Sequence, residues 1–339
     1  MKELVQHFPK SILVGCSSAG EIHNEYVYDE SLSVSICCFE KTKLKVYETN
    51  IHQSEDSFVA GENIGKQLLT KDLQGIFLLS EGLTVNGTEL TRGINTVVQK
   101  DHAVVISGGL SADGSSFQST YTIHGADVRS HRVVAVGFYG HDIQIGTGSF
   151  GGWDAFGPLR TVTKSTANIL YELDGKPALE LYKQYLGQEA EKLPGSALLF
   201  PLSISTGSRK NIVRTILAVN ESEQSMTFAG DIPEGSSAQL MKANFSHLVT
   251  GAENAAMFAG KNLDKNEACL AIAISCVGRR LVLGEAIEDE TEAIKNILPQ
   301  GTLVSGFYSY GELSPHGEYG CDLHNQTMTL TVFQEKKAA

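Results

Sequence analysis

The sequence predicts an α/β fold of the mixed α+β kind, made of two similar duplicated halves with mixed sheets and a ligand cleft between them. Short runs of branched apolar residues, typical of strands, alternate with Gly, Asn and Ser clusters and a few helical patterns. The 339 residues are enough for about two domains. The same order of elements also recurs along the chain, which is typical of a duplication.

Four helices are predicted from apolar residues spaced three and four positions apart. Thr88 is the expected N-cap of one of them, and Pro299 is the expected stop of another. The predicted helices cover residues 58–69, a segment starting at Thr88 and reaching Val98, residues 241–258 and residues 289–298. The predicted strands cover residues 11–14, 32–39, 44–49, 76–79, 104–107, 132–138, 143–146, 197–202, 213–219, 225–229, 269–275, 302–305 and 326–333.

The repeat is visible in the order of helix, strand, glycine, helix, strand and glycine-bounded turn. Gly82 and Gly278 stand 196 residues apart at the ends of corresponding strands, and Gly109 and Gly306 stand 197 apart at the following turns. We therefore predict two domains, at residues 1–175 and 176–339.

Composition excludes several classes of protein. Hydrophobic residues make up 42% and charged residues 19%, which is incompatible with a disordered chain. A net charge of −12 without a concentrated basic patch disfavours nucleic acid and anionic membrane as partners. The six cysteines contain no Cys-x-x-Cys pair and are expected to be reduced core residues. With no signal peptide and no long apolar run, the expected location is cytoplasmic.

A strand followed by Gly-x4-Gly occurs three times. We call these the first turn (residues 15–20), the second turn (109–114) and the third turn (306–311). Terminal glycines allow positive φ and close approach to a ligand, while hydroxyls and backbone N–H groups between them can bind it. One such loop alone would be read as a tight turn, but three copies predict a shared ligand site.

The candidate ligand-binding residues lie in or near these turns. For a small carboxylate or amine ligand, Arg279 is the expected anion partner and Glu312 the expected cation partner. The full predicted set is Ser17, Ser18, Asp113, Arg279, Tyr310 and Glu312.

Other motifs have weaker functional interpretations. The stretch 146–151 matches Gly-x-Gly-x-x-Gly, but the residues after it cannot begin the helix that a dinucleotide site needs. A hydrolase or transferase using Cys321 and His324 is the enzymatic alternative, although this spacing does not imply a reactive thiol, and a non-catalytic protein is expected. His247, followed one turn later by Gly251, is a candidate axial ligand for haem, the alternative being a hydrogen-bonded surface histidine.

Several segments together resemble the FIST family. Residues 157–164 and 172–180 resemble the junction of FIST proteins, and residues 306–312 with 323–330 resemble their C-terminal signature. Residues 15–21 and 108–114 resemble the N-terminal FIST half, so that the resemblance covers nearly the whole chain.

The resemblance implies a cytoplasmic sensory protein of bacterial signal transduction. Paired FIST N and FIST C regions would bind a small ligand, such as an amino acid or a related metabolite. No kinase, receiver or cyclic-di-GMP enzyme segment fits outside the two halves, so the expected partner is a sensor histidine kinase or a cyclic-di-GMP enzyme acting in trans. A stand-alone subset of the family binds haem and senses nitric oxide. The resemblance therefore implies haem b, bound at His247, as the alternative ligand.

Overall fold

The computed structural model describes residues 1–98, 104–207, 212–264, 267, 269–316 and 320–336. The α-helices in these ranges are α1 (Lys2–His7), α2 (Ser57–Leu68), α3 (Gly87–Val98), α4 (Ala178–Leu186), α5 (Phe245–Gly260), α6 (Val277–Leu283) and α7 (Ile287–Ile297). The strands are β1 (Val14–Cys16), β2 (Glu21–His23), β3 (Tyr26–Tyr28), β4 (Lys43–Asn50), β5 (Leu73–Ser80), β6 (Val105–Leu110), β7 (Thr122–His124), β8 (Asp127–Arg129), β9 (Arg132–Tyr139), β10 (Ile143–Phe150), β11 (Trp153–Thr166), β12 (Ile169–Leu173), β13 (Lys176–Pro177), β14 (Leu202–Ser205), β15 (Ile212–Arg214), β16 (Ile216–Asn220), β17 (Ser225–Phe228), β18 (Ser237–Ala243), β19 (Leu270–Cys276), β20 (Leu303–Ser309), β21 (Gly311–Pro315), β22 (Cys321–His324) and β23 (Met328–Glu335).

Two six-stranded mixed sheets pack face to face and are covered by helices on their outer sides. The N sheet has the order β22-β21-β6-β5-β9-β4, and the C sheet has the order β10-β23-β19-β20-β2-β3. In β5, Ile76 and Leu78 pack beneath α2 and α3, while Phe77 and Leu79 face the other sheet. This alternation follows from the two-residue period of a strand and builds four layers, helix, sheet, sheet and helix.

The two sheets have equivalent topologies, which confirms the predicted duplicated, mixed α+β fold. In each sheet a parallel pair, β5 with β6 or β19 with β20, is flanked on one side by an antiparallel strand and on the other by a hairpin. The connection between the two parallel strands contains α3 in one half and α6 and α7 in the other.

The hairpins are exchanged between the halves. Hairpin β2–β3, from the start of the chain, extends the C sheet by pairing with β20. Hairpin β21–β22, from near the end, extends the N sheet by pairing with β6. Strands from both predicted domains therefore meet in each sheet, and the predicted boundary near residue 175 stays a prediction.

A third unit lies between the two halves in sequence. Its eight strands, β11 to β18, form one sheet around a separate apolar core to which α4 contributes Leu179 and Tyr182. The sequence analysis did not predict it as a separate unit, because its short strands carry the same apolar patterning as the rest.

The Gly-x-Gly-x-x-Gly stretch of β10 serves the packing of a helix on a sheet. A Cβ at Gly146 would lie 1.9 Å from the carbonyl oxygen of Ala259, and one at Gly148 would lie 2.1 Å from that of Ala255. Both carbonyls belong to α5, so these glycines let the helix approach β10 closely.

Several predicted elements differ from the structure. Residues 32–39 form no regular strand, and Leu32, Ile36, Cys37 and Cys38 are exposed, so the expectation that all six cysteines are core residues was wrong for two of them. The predicted helix 241–258 begins four residues later.

Two helix starts follow from asparagine caps that the sequence analysis overlooked. Asn244 accepts a hydrogen bond from the His247 N–H at the start of α5, after β18 has ended. Asn86, not Thr88, caps α3 through the Glu89 N–H at 3.1 Å.

No helix in the described ranges is long and apolar enough to cross a bilayer.

Candidate functional site

The three glycine-bounded segments meet at one place, although residues 109–110 of the second turn and 306–309 of the third turn are the last residues of β6 and β20. The Ala112 N–H of the second turn donates to the Ser17 carbonyl of the first at 3.1 Å. The Tyr310 hydroxyl of the third turn donates to the Asp113 carboxylate of the second. We call the surroundings of these contacts the convergence site, defined by Ser17, Ser111, Asp113, Phe117 and Tyr310.

Asp113 is the hub of this site. Its Oδ1 accepts from the Phe117 N–H at 3.0 Å and from Tyr310, and its Oδ2 accepts from the N–H groups of Gln118 and Ser119, both at 2.8 Å. Partial burial raises the pKa of Asp113, but the hydrogen bonds outweigh it and hold the pKa below its ordinary value. Asp113 is thus an ionised acceptor at neutral pH.

Tyr310 supplies a flat face from the C-terminal part of the chain. Its ring stacks on that of Phe117 with centroids 4.5 Å apart and planes 7° from parallel. Its hydroxyl also donates to the Gly114 carbonyl at 3.0 Å. Burial, together with the hydrogen bond to Asp113, raises the pKa of Tyr310 above its ordinary value, so the hydroxyl stays a neutral donor.

Gly82 and the Ser111 carbonyl lie beside this ring, and two buried serines stand at the ends of β5 and β6. A Cβ at Gly82 would be 1.9 Å from the Ser111 carbonyl and 3.1 Å from the Tyr310 ring, which places these three residues in contact. The Ser111 N–H donates to the Ser80 carbonyl at 2.7 Å. Within the described residues, the fully buried hydroxyls of Ser80 and Ser111 have no hydrogen-bond partner. Such groups usually bind water or a ligand.

Ser17 and Ser18 of the first turn have different surroundings. Ser17 Oγ accepts from the Tyr121 N–H at 3.0 Å and so borders the convergence site. Ser18 Oγ donates instead to Glu21 Oε1 at 2.5 Å. The structure thus brings Ser17, Asp113 and Tyr310 together, while Ser18 is turned toward Glu21.

Glu312 lies two residues after Tyr310 and is completely buried. Its carboxyl group accepts from the Ser309 hydroxyl at 2.8 Å and from the Thr327 N–H and hydroxyl at 3.2 and 3.0 Å. Burial raises the pKa of Glu312 to about 8, although these hydrogen bonds and the charge of Arg279 lower it. Near neutral pH Glu312 is therefore protonated in a large fraction of molecules.

The turn after β22 adds two buried amides. Asn325 is 1% exposed and Gln326 is 0% exposed, and the side-chain nitrogen and oxygen of both residues have no partner among the described residues. A Cβ at Gly278 would be 2.4 Å from the Gln326 amide nitrogen, so this side chain lies flat against the start of α6.

Glu312 should make stability depend on pH. Because its pKa is higher in the folded chain than in the unfolded chain, its contribution is present at low pH and is lost as pH rises toward 8. Between pH 4 and pH 7 we expect the free energy of unfolding of the native protein to fall by about 3 kcal/mol relative to Glu312→Gln. Urea unfolding of both proteins across this range measures the difference. A difference that stays constant with pH would contradict the raised pKa.

Arg279 is occupied by protein groups. Its guanidinium, 0% exposed, donates to Glu290 Oε2 at 2.7 and 3.1 Å, to the Leu248 carbonyl at 2.8 Å and to the Gly151 carbonyl. These contacts join α6 to α7 and α5. The role of Arg279 as an anion partner stays a prediction.

Cys321 and His324 do not form a catalytic pair. Cys321 belongs to the apolar core beneath α3, and burial raises the pKa of its thiol well above the ordinary value. His324 lies three residues along the same strand, on its other face, where it contacts the Ser314 carbonyl at 3.2 Å. Burial lowers the pKa of His324 to about 4.

His247 lies near the start of α5, half-exposed, with Nδ1 2.7 Å from Asp154 Oδ1. A groove of about 280 Å³ beside it is also lined by Phe150, Trp153 and Asn254. Gly251 also lines this groove, and a Cβ there would lie 2.7 Å from the Gly151 carbonyl. A second groove, of about 410 Å³, lies between β10 and the end of α5. Both grooves lie on the side of the C sheet that α5 covers. At the convergence site, by contrast, the turns contact one another directly.

Comparison with known proteins identifies the family. The FIST N domain model matches residues 1–176 and the FIST C domain model matches residues 178–315. The chain belongs to the FIST family. The predicted resemblance is thus confirmed, and FIST domains are sensory domains of signal transduction.

Individual relatives of this FIST protein add little about its ligand. An uncharacterized protein of Methanocaldococcus jannaschii is 25% identical over 91% of this chain, and the chain spans 65% of that relative's length. Among solved structures, a cyanuric acid hydrolase from A. caulinodans aligns with 87% of this chain and 100% of its own at 11% identity, with a TM-score of 0.20.

Phe117 and Ser111 were not among the predicted site residues. Ser111 lies within the second turn, so the turn itself was the signal for it. Phe117 follows that turn in an exposed loop, and nothing in its spacing indicates a ring stacked on a residue 193 positions away.

Proposed function

We propose that this FIST protein is a sensor that binds a small polar ligand at the convergence site and thereby changes a surface read by a partner protein. The observation that carries the proposal is the hydrogen bond between Asp113 and Tyr310, which joins the second turn to the third. A ligand that binds between these residues would act on both sheets at once, because Asp113 follows β6 and Tyr310 lies between β20 and β21.

Signalling requires that the ligand favour one of two states. A bound ligand shifts such an equilibrium only by its difference in affinity for them, about 1 to 3 kcal/mol in typical coupled systems. The exchanged hairpins support such coupling, since a movement of Tyr310 is transmitted through β21 directly to β6 of the N sheet. We propose a sensor histidine kinase or a cyclic-di-GMP enzyme as the partner, as the family resemblance implies.

The proposal predicts that a ligand found by thermal shift among amino acids and related metabolites depends on Asp113. In titration calorimetry, Asp113→Asn should weaken binding by about tenfold or more, because a hydrogen bond to a charged group is lost. Tyr121→Phe is the matched control, since it removes an exposed hydroxyl at the rim. A ligand that binds native protein and Asp113→Asn equally would refute this site.

Haem binding at His247 is a second candidate function, favoured by the Asp154 contact. A histidine that donates through Nδ1 to a carboxylate is oriented to ligate a metal through Nε2, as is usual at metal centres. The groove offers Phe150 and Trp153 as apolar neighbours, but its 280 Å³ could take only part of a macrocycle. Haem, when bound, would supply an iron that binds nitric oxide, and His247 would hold that iron.

An absorbance spectrum tests this second candidate. Protein purified with haem present should show a Soret band that nitric oxide shifts and that His247→Ala abolishes. Asp154→Asn should shift the band without abolishing it, because it changes only the orientation and basicity of the imidazole. An unchanged spectrum in His247→Ala would exclude this histidine as the ligand.

A further inference from the structure

The loop that follows Asp113 covers the convergence site. We call residues 114–119 the lid loop. It begins at Gly114, whose φ of +75° suits glycine, and it ends before Thr120, whose hydroxyl accepts from the Gly82 N–H at 2.8 Å. Residues 115–119 are exposed, whereas Thr120 is 1% exposed. The loop is therefore anchored at both ends and free on its outer side.

Phe117 occupies its position at a conformational cost. Its φ of +50° lies in the left-handed region, which bulky side chains rarely adopt, and its side chain is half-exposed. The stack on Tyr310 and the hydrogen bonds to Asp113 hold it there. Releasing the loop would relieve this strain, so the strain lowers the free energy needed to displace the loop from the convergence site.

The lid loop presents two features to the site in fixed relation. One is a planar ring lying on Tyr310, and the other is a set of N–H donors, those of Phe117, Gln118 and Ser119, directed at the Asp113 carboxylate. The loop therefore occupies the Tyr310 face and the Asp113 carboxylate, the two groups that a ligand at this site would contact.

We infer that the lid loop is a resident mimic of the ligand, and that the ligand is a planar ring carrying N–H donors. Such a molecule would displace Phe117, stack on Tyr310 and replace the loop amides at Asp113. An aromatic amidine or an amino-substituted heterocycle has this chemistry, and its positive charge suits an ionised carboxylate. The inference rests on the proposed function, and it adds the class of ligand and the means by which binding moves a segment of the protein.

Three small probes distinguish the contribution of the planar ring to affinity from that of the N–H donors. Benzamidine has both features, cyclohexanecarboxamidine keeps the amidine on a non-planar ring, and benzoate keeps the planar ring but carries a negative charge. In calorimetry with the native protein, benzamidine should bind about threefold to tenfold more tightly than cyclohexanecarboxamidine, and benzoate should bind least. Equal affinities of the two amidines would overturn the inference.

Phe117→Ala tests displacement. This exposed substitution should raise benzamidine affinity by about threefold to tenfold, because the competing ring is gone and more molecules are open. Phe245→Ala, which removes an exposed phenylalanine on α5, should leave the affinity unchanged. Unchanged or weaker binding in Phe117→Ala, or no binding to this variant at millimolar benzamidine, would overturn the inference.

Hydrogen exchange gives a readout that is independent of affinity. With benzamidine bound, the amides of Phe117, Gln118 and Ser119 should exchange faster, whereas the Tyr121 amide bonded to Ser17 should not change. Slower exchange at the three lid amides would show that the ligand closes the loop and would contradict displacement. The proposed function itself fails only if the wider ligand panel also shows no dependence on Asp113.

Discussion

The N-terminal half of this protein should not fold cooperatively by itself. A fragment of residues 1–140 contains four strands of the N sheet but lacks β21 and β22, and it carries β2 and β3 without the strand they pair with. Its β6 would become an unpaired edge, and the Leu323 side chain that packs against Gly87 would be missing. A fragment of residues 141–339 lacks β2 and β3 in the same way.

Circular dichroism and thermal melts of the two fragments check this expectation. The fragment of residues 1–140 should show no cooperative transition alone, and the fragment of residues 141–339 should show only that of the β11–β18 unit. Mixing the two should restore a transition near the melting temperature of the intact chain. Intact protein cleaved near residue 141 after folding is the control, because it has the same break but starts from the native state. A fragment of residues 1–140 that melts cooperatively alone would show that the exchanged hairpin is dispensable.

Removing Arg279 should have the largest effect of any single substitution considered. Glu290 is 0% exposed and also accepts from the hydroxyls of Tyr308 and Ser275, at 2.8 and 3.0 Å. Arg279→Met leaves this carboxylate buried without its cation, which should lower the free energy of unfolding by about 3 to 5 kcal/mol. Urea unfolding measures the loss.

The double variant Arg279→Met with Glu290→Gln is the control for Arg279. Removing the second charge should recover a large part of the stability, since the cost arises from the unpaired carboxylate. A loss below about 1 kcal/mol in Arg279→Met, accompanied by loss of ligand binding, would instead favour the anion-partner role predicted from sequence.

The duplication could be predicted because its signals are local. Apolar periodicity, strand-end glycines such as Gly82 and Gly278, and the repeated turns are readable within short windows. Hairpin exchange could not be predicted, because the pairing of β21 with β6 joins residues about 200 positions apart and depends on which sheet edge is nearer. Residues 32–39 have a strand-like pattern, yet they join no sheet, and the side chains of Leu32, Val34 and Ile36 stay exposed.

The candidate site was predictable in part for the same reason. The turns identified Ser17, Asp113 and Tyr310, since glycine-bounded loops at strand ends gather where parallel strands finish. Arg279 was predicted from its charge alone, and only the fold shows that it forms an ion pair with Glu290. Gly251 lines the groove beside His247, as its spacing indicates, but only the fold shows that its missing side chain also makes room for the Gly151 carbonyl.

A structure of the protein bound to the strongest compound from the thermal-shift panel tests most directly whether the turns form the sensory site. We expect a ligand in contact with both the Asp113 carboxylate and the Tyr310 ring, with Phe117 moved away. A ligand seated in the groove beside His247, with the contact between Asp113 and Tyr310 intact, would contradict it.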